Sequence, residues 1–196
     1  MNYLGSKTLE TERLILRKTE EKDLKPLWEI LLKEEVSKYY LTSKIHQNWE
    51  EEQTWQYKKL ERASNPDTFI WTIERKEDHA IMGQISFHGL DQDSSKDIGW
   101  FLGTEYQHKG YMTEAANAVL RYMFLEVGIQ DVDTCAATDN PPSWKLMERL
   151  GFQPKGTTRM EKYTGLEQQV ECKEYIYRRK DYLNKEGESN GSISVS

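Results

Sequence analysis

The sequence predicts one α/β domain of the α+β kind: a mixed, mostly antiparallel sheet of seven strands with about four flanking helices. Three observations carry this expectation. The 196 residues suit a single core, since a chain of this size buries roughly 70% of its unfolded surface. Three β-rich runs separated by polar turns occupy the middle of the chain, as in an antiparallel meander. Segments with apolar residues at helical spacing lie on either side of that meander.

Strand one is expected between Leu9 and Arg17, where Leu14 and Leu16 alternate with charged neighbours. A first helix follows over 20–33, with Leu24, Leu27, Trp28, Leu31 and Leu32 on one face and acidic residues in its first turn. A second helix, over 49–62, opens on Glu50, Glu51 and Glu52 and stops before Asn65-Pro66. The meander then occupies 69–75, 81–90 and 98–103, with turns over 76–80 and 91–97. Helix three runs from Gly110 to Val127, strand five is 132–137, and Pro141-Pro142 introduce a short helix over 143–150 that Gly151 ends. Two last strands are expected at 153–163 and 170–178. The domain is read as 1–183, and the Gly/Ser-rich stretch 184–196 as a disordered tail that cannot bury apolar area.

Composition removes several function classes. The net charge of -6, with Lys and Arg dispersed along the chain, argues against nucleic acid as the main partner. No apolar stretch approaches a membrane span, and Met1 to Glu12 lacks the apolar segment of a secretory signal, so a cytoplasmic protein without a membrane partner is expected. Cys135 and Cys172 lack CxxC spacing and sit in strand-like segments, which reads as two core thiols. His46, His79, His88 and His108 show no metal-ligand spacing, and no metal is expected. There is no GxxxxGK[ST] and no GxGxxG, and a meander differs from a βαβ unit, so phosphate-loop and dinucleotide folds are set aside.

The informative unit is the strand, loop and helix from Ile98-Gly99-Trp100-Phe101-Leu102-Gly103 through Gln107-His108-Lys109-Gly110-Tyr111-Met112-Thr113-Glu114-Ala115. A glycine-bearing loop that feeds a helix start offers free backbone N–H groups and the positive end of the helix dipole, which suits a pyrophosphate. Gln107-x-x-Gly110-x-Met112 resembles the acyl-CoA loop (Arg/Gln)-x-x-Gly-x-(Gly/Ala) of the GNAT acetyltransferase superfamily. Gly110-Tyr111-Met112-Thr113-Glu114-Ala115 is similar to the Gly-Tyr-Ala-Thr-Glu-Ala of its Rim-type branch, the acetyltransferases of ribosomal-protein N-termini and their relatives. Met112 departs from the pattern by standing where a small residue is usual. Two further segments agree: Asn140-Pro141-Pro142-Ser143 to Gly151-Phe152 resembles Asn-x-x-Ser…Gly-Phe, and Leu9-Glu10-Thr11-Glu12-Arg13-Leu14-Ile15-Leu16-Arg17 resembles the Rim-type opening. The resemblance covers roughly residues 9–180 and implies a GNAT fold whose strands four and five splay apart.

That resemblance implies acetyl-CoA as cosubstrate. Its pantetheine arm would lie in the splay against the backbone of Phe101 and Leu102, its phosphates on Gln107, His108, Lys109, Gly110, Tyr111, Met112 and Thr113, and its adenine end near Asn140 and Lys145. It implies direct transfer of acetyl to a primary amine, with Ser143 as the acid for the leaving thiolate; Ser143 could equally N-cap its helix. Glu105 and Glu114 are the nearest carboxylates for a base, Glu114 being as well suited to the first turn of a helix. Tyr111 suits either the site or the core. The two N-terminal helices and the last hairpin are expected to supply acceptor contacts; Trp28, Tyr39, Tyr40, Trp49, Trp55 and Tyr57 are the aromatic candidates, most of them read as core, and Glu50 to Glu52 either attract a cation or are solvated. The acceptor is read as a protein N-terminus or a small amine such as a polyamine, antibiotic or amino acid, and a non-catalytic acyl-CoA sensor is the reading outside enzymes. An α-amino group is about a quarter neutral at pH 7.4 while a lysine is about one part in a thousand neutral, a difference of about 3.5 kcal/mol that favours a low-pKa acceptor where no strong base is evident. A homodimer through late strands is implied by the resemblance.

Overall fold

In the computed structural model, which describes residues 4–40, 45–88, 97–163 and 165–191, the segment expected as strand one is two strands. β1 (Leu9–Glu10) and β2 (Leu14–Arg17) fold back antiparallel with Leu9 opposite Leu16. Thr11 makes the corner: its N–H donates to the Leu14 carbonyl at 3.0 Å, and its hydroxyl accepts from the Leu14 N–H at 3.1 Å. A Thr side chain that can mimic a turn's backbone breaks the alternation, so the described residues form eight strands instead of seven.

Helix α1 (Glu21–Leu31) starts where Asp23 accepts the Glu20 N–H at 2.8 Å. The same carboxylate takes Arg17 Nη1 and Nη2 at 2.6 and 2.9 Å, and Arg17 Nε donates to Glu74 at 2.6 Å, so one buried guanidinium pins α1 to the sheet. A separate turn, α2 (Glu34–Ser37), follows where the first helix was expected to reach Lys33. Helix α3 (Trp49–Ala63) is capped by Asn48.

The meander is β3 (Phe69–Arg75), β4 (Ile81–His88) and β5 (Asp97–Leu102); the end of the expected 81–90 strand and all but the last residue of the 91–97 turn lie outside the described residues. Helix α4 (Tyr111–Tyr122) passes into a π turn, Met123–Val127. The wider turn leaves the Phe124 carbonyl to accept Arg179 Nε at 2.8 Å. Then come β6 (Asp131–Ala137), α5 (Pro141–Leu150), β7 (Gln153–Glu161), β8 (Val170–Arg178) and α6 (Arg179–Gly191). Helix α6 runs past the domain end expected at residue 183, and residues 192–196 lie outside the described residues. Its start is held by Tyr182, whose ring packs on Phe124 at 5.3 Å.

Two sheets result, β1-β2-β3-β4-β5 and β6-β8-β7. The strands expected as four and five are β5 and β6, each an edge facing the other without ladder bonds. They meet at one end, where Thr134 Oγ1 donates to the Ile98 carbonyl at 3.4 Å. Ala115, Ala116 and Val119 of α4 have no exposed surface, and these small side chains let the helix lie close on the sheet with Trp71, Ile85 and Leu102. Each fully buried Leu, Ile or Phe there contributes about 1.5–3 kcal/mol. Phe101 points the other way, onto Leu27, Ile30 and Leu31 of α1. Alternate side chains of β5 therefore serve opposite layers, leaving its backbone edge to the gap.

Candidate active site

Where β5 and β6 part, their gap opens into a cavity of about 590 Å³. Among the residues expected at the site, Phe101, Leu102, Gln107, His108, Gly110, Tyr111, Met112, Thr113, Asn140, Ser143 and Lys145 line it. Lys109 and Glu114 do not. A strand edge has unpaired N–H and C=O groups, so β5 can pair with an extended amide-bearing ligand as another strand would.

The loop at the α4 start is shaped for an anion. Gly110 sits at φ 80° and His108 at φ 60°; the left-handed form costs a residue with a Cβ about 1–2 kcal/mol. Only His108 bears that cost, since Gly110 has no Cβ, and the two left-handed residues lie next to the free N–H groups of α4. Gln107 Nε2 donates to the Leu102 carbonyl at 2.9 Å, fastening the loop to β5. Met112 is 9% exposed and packed in the main core, so its bulk goes inward and not across the loop. Tyr111 is both core and cavity wall, which merges the two readings of that residue.

Helix α5 begins two residues earlier than expected, because Pro141 and Pro142 form its first turn. Asn140 is the residue before the helix, and its carbonyl accepts the Ser143 N–H at 3.1 Å. Ser143 is thus inside the helix and does not cap it; its hydroxyl bonds no described residue and lies at the cavity wall. Arg149 Nη1 donates to Thr113 Oγ1 at 3.2 Å, linking α5 to α4 across the opening.

Both carboxylates considered as a base are engaged elsewhere. Glu114 Oε1 accepts from Thr11 Oγ1 at 2.6 Å and from the Arg13 N–H at 2.9 Å, and Oε2 from Arg13 Nε at 2.7 Å. Burial opposes its charge, but these donors together hold it below the usual carboxylate range. The structure therefore corrects the expectation for Glu114: it is a brace facing away from the cavity. Glu105 pairs with Lys33 at 2.9 Å, and that hydrogen bond lowers its pKa. Glu52 is neither solvated nor at the cavity: it is 1% exposed and bonds His46 Nδ1 at 2.9 Å and Gln56 Nε2 at 2.6 Å.

Of the aromatic residues expected near the acceptor, Tyr39 and Tyr40 line the cavity while Trp28 and Trp49 pack on one another, and Trp55 and Tyr57 are exposed. The Tyr40 ring meets Phe101 edge-on at 5.0 Å, and burial pushes its phenol up to about 12. Glu35 and Arg149 also line the cavity; their neighbours in sequence are equally charged, and only the position of α2 and the turn of α5 single them out. The cationic side chains of Lys145 and Arg149 thus share the cavity with the carboxylate of Glu35.

At the closed end of the gap lies another carboxylate, Asp97, opposite His88 in register. Burial pushes its pKa up, against a Thr134 hydrogen bond and the charges of His88 and Arg159. His88 Nε2 and Ser86 Oγ are 2.9 Å apart, and a Cβ on Gly99 would sit 3.8 Å from both, so this glycine leaves room in front of them. A bare Asp beside a turn carried no signal; the strand pairing supplies it.

A two-sheet fold splayed beside an anion-suited helix start defines a class of acyl-transfer proteins. Residues 13–153 match the family described as Acetyltransferase (GNAT) domain. The chain is 30% identical over 159 residues to YoaA, an uncharacterised N-acetyltransferase of Bacillus subtilis (strain 168), covering 79% of this chain and 88% of that one. The ribosomal-protein-S5-alanine acetyltransferase from Vibrio fischeri superposes with a TM-score of 0.71 at 18% identity, over 90% of this chain and 99% of that one. Spermidine N-acetyltransferase from Vibrio cholerae, solved with CoA and spermine, gives 0.74 at 19% identity, over 89% and 100%. The chain belongs to the GNAT acetyltransferase family and is an N-acetyltransferase.

Proposed function

We propose that this protein transfers acetyl from acetyl-CoA directly to a primary amine, with a protein α-amino group as the preferred acceptor. The observation that carries this reading is one continuous cavity joining the left-handed loop, the β5 edge and the Ser143 hydroxyl. In a chain of net charge -6, Lys145 and Arg149 give that cavity the local positive charge an anionic coenzyme needs. The amine nitrogen attacks the thioester carbonyl, the C–S bond breaks, and Ser143 Oγ–H protonates the departing thiolate and regains a proton from solvent. Asp97, at the closed end of the gap and outside the cavity's lining, is the final acceptor of the proton the amine loses, reached through His88 or water. A raised carboxylate suits that task, and an acceptor with a low pKa demands least of it. The two free cysteines accord with a reducing, cytoplasmic setting.

A small cationic amine is the second reading, favoured by Glu35, whose carboxylate has no partner among the described residues and faces the cavity. Acetyl-CoA titration by calorimetry, followed by thiol release across free-N-terminus peptides and small amines, tests both. Peptide-dependent release supports the first reading and release with small amines alone the second; binding without release leaves a sensor, and absent binding overturns all three. Ser143→Ala is expected to lower turnover with acetyl-CoA affinity largely kept.

A further inference from the structure

The loop that faces the coenzyme's phosphates is held in a costly shape, and the group that holds it comes from the start of the chain. Arg13, in the corner between β1 and β2, reaches it by four routes. Its Nη1 donates to the Lys109 carbonyl at 3.0 Å, the peptide between the two left-handed residues. Its Nε and Nη2 both lie 2.7 Å from Glu114 Oε2 in the first turn of α4. Its guanidinium stacks on the Tyr111 ring at 4.3 Å. Its own N–H and the Thr11 hydroxyl take the other oxygen of Glu114.

We propose that Arg13 is a positioning residue for acetyl-CoA: it preorganises the 107–110 loop and the α4 start so that their N–H groups converge on the phosphates before the coenzyme arrives. The proposal rests on the coenzyme reading given above. Arg13 does not line the cavity, so it acts through the loop it grips and not by touching ligand. A planar fork is what the geometry uses, since one cation must meet a carbonyl, a carboxylate and a ring face together. A loop that must first be ordered binds more weakly than one already in shape.

The test is the Kd for acetyl-CoA of the wild-type chain, Arg13→Ala and Arg13→Lys, alongside amide hydrogen exchange of residues 107–114 without ligand. Loss of charge-assisted hydrogen bonds of this kind predicts a Kd raised roughly tenfold in Arg13→Ala. Faster exchange confined to the loop is expected, with kcat at saturating acetyl-CoA nearly unchanged. Arg13→Lys keeps the charge without the fork and is expected to restore little. Full restoration by lysine would overturn the proposal in favour of simple attraction, as would an unchanged Kd in a folded Arg13→Ala. Should Arg13→Ala not fold, Glu114→Gln removes the charge from the pair with Arg13 while keeping its shape and is expected to give a smaller shift in the same direction; no shift would again overturn it. Absence of acetyl-CoA binding by the wild-type chain would sink the coenzyme reading instead, a result that loop exchange, measured without ligand, distinguishes from failure of the brace.

Discussion

At the scale of single residues, Asp97 and Glu114 show how place decides chemistry. Both are acidic residues near the acyl-transfer segment, yet Glu114 is saturated by Thr11 and Arg13 and held ionised, while Asp97 is pushed toward its neutral form by burial. If Asp97 is the base, it must be ionised to act, so kcat/KM rises with pH through an apparent pKa above the usual value near 3.9 for aspartate. Asp97→Asn is expected to remove that limb and to lower kcat about a hundredfold, the lower range for general-base catalysis. A pH–rate profile on a fixed peptide acceptor measures this, and a limb that persists in Asp97→Asn would place the base elsewhere. That residues 107, 108 and 110–113 border one cavity was legible in sequence, because a glycine before a helix start marks such a loop by its spacing alone. Asp97 and Glu35 were not, since each draws its place from strand pairing or from the position of a helix far away in sequence.

Among elements, the β4–β5 pair sets the gap. Gly83 faces Leu102 in register, and a Cβ there would stand 2.1 Å from the Phe101 carbonyl oxygen. That backbone belongs to the strand edge on which the pantetheine arm is proposed to lie. Gly83→Ala is expected to destabilise the fold by roughly 1–3 kcal/mol, as overpacking does, and to weaken acetyl-CoA binding by displacing Phe101. Denaturant unfolding and calorimetry read the two effects; unchanged stability would mean the strands part there without cost. The periodic helices and the meander were legible because amphipathic patterns report a buried face directly. The split of Leu9 to Arg17 was not, because it hangs on the Thr11 hydroxyl closing a turn, and neither was the π turn, which depends on Arg179 reaching the Phe124 carbonyl.

For the whole molecule, the order and class of elements followed from the sequence, whereas the meeting of distant segments did not. Composition gave one core and a polar surface, but nothing in it placed residue 13 beneath residue 110 or α2 over Phe101; those are properties of the closed fold. The brace has a consequence for how the protein is made. Its bonds join residues 96 to 103 positions apart, and α5, the other wall of the cavity, comes later still. At about 5–20 residues per second of translation, a ribosome takes roughly 5–20 s to add the stretch between the two ends of the brace. A nascent chain carrying β1 to β5 therefore has its sheet edge but not the cavity, whose second wall exists only once synthesis has passed the end of α5.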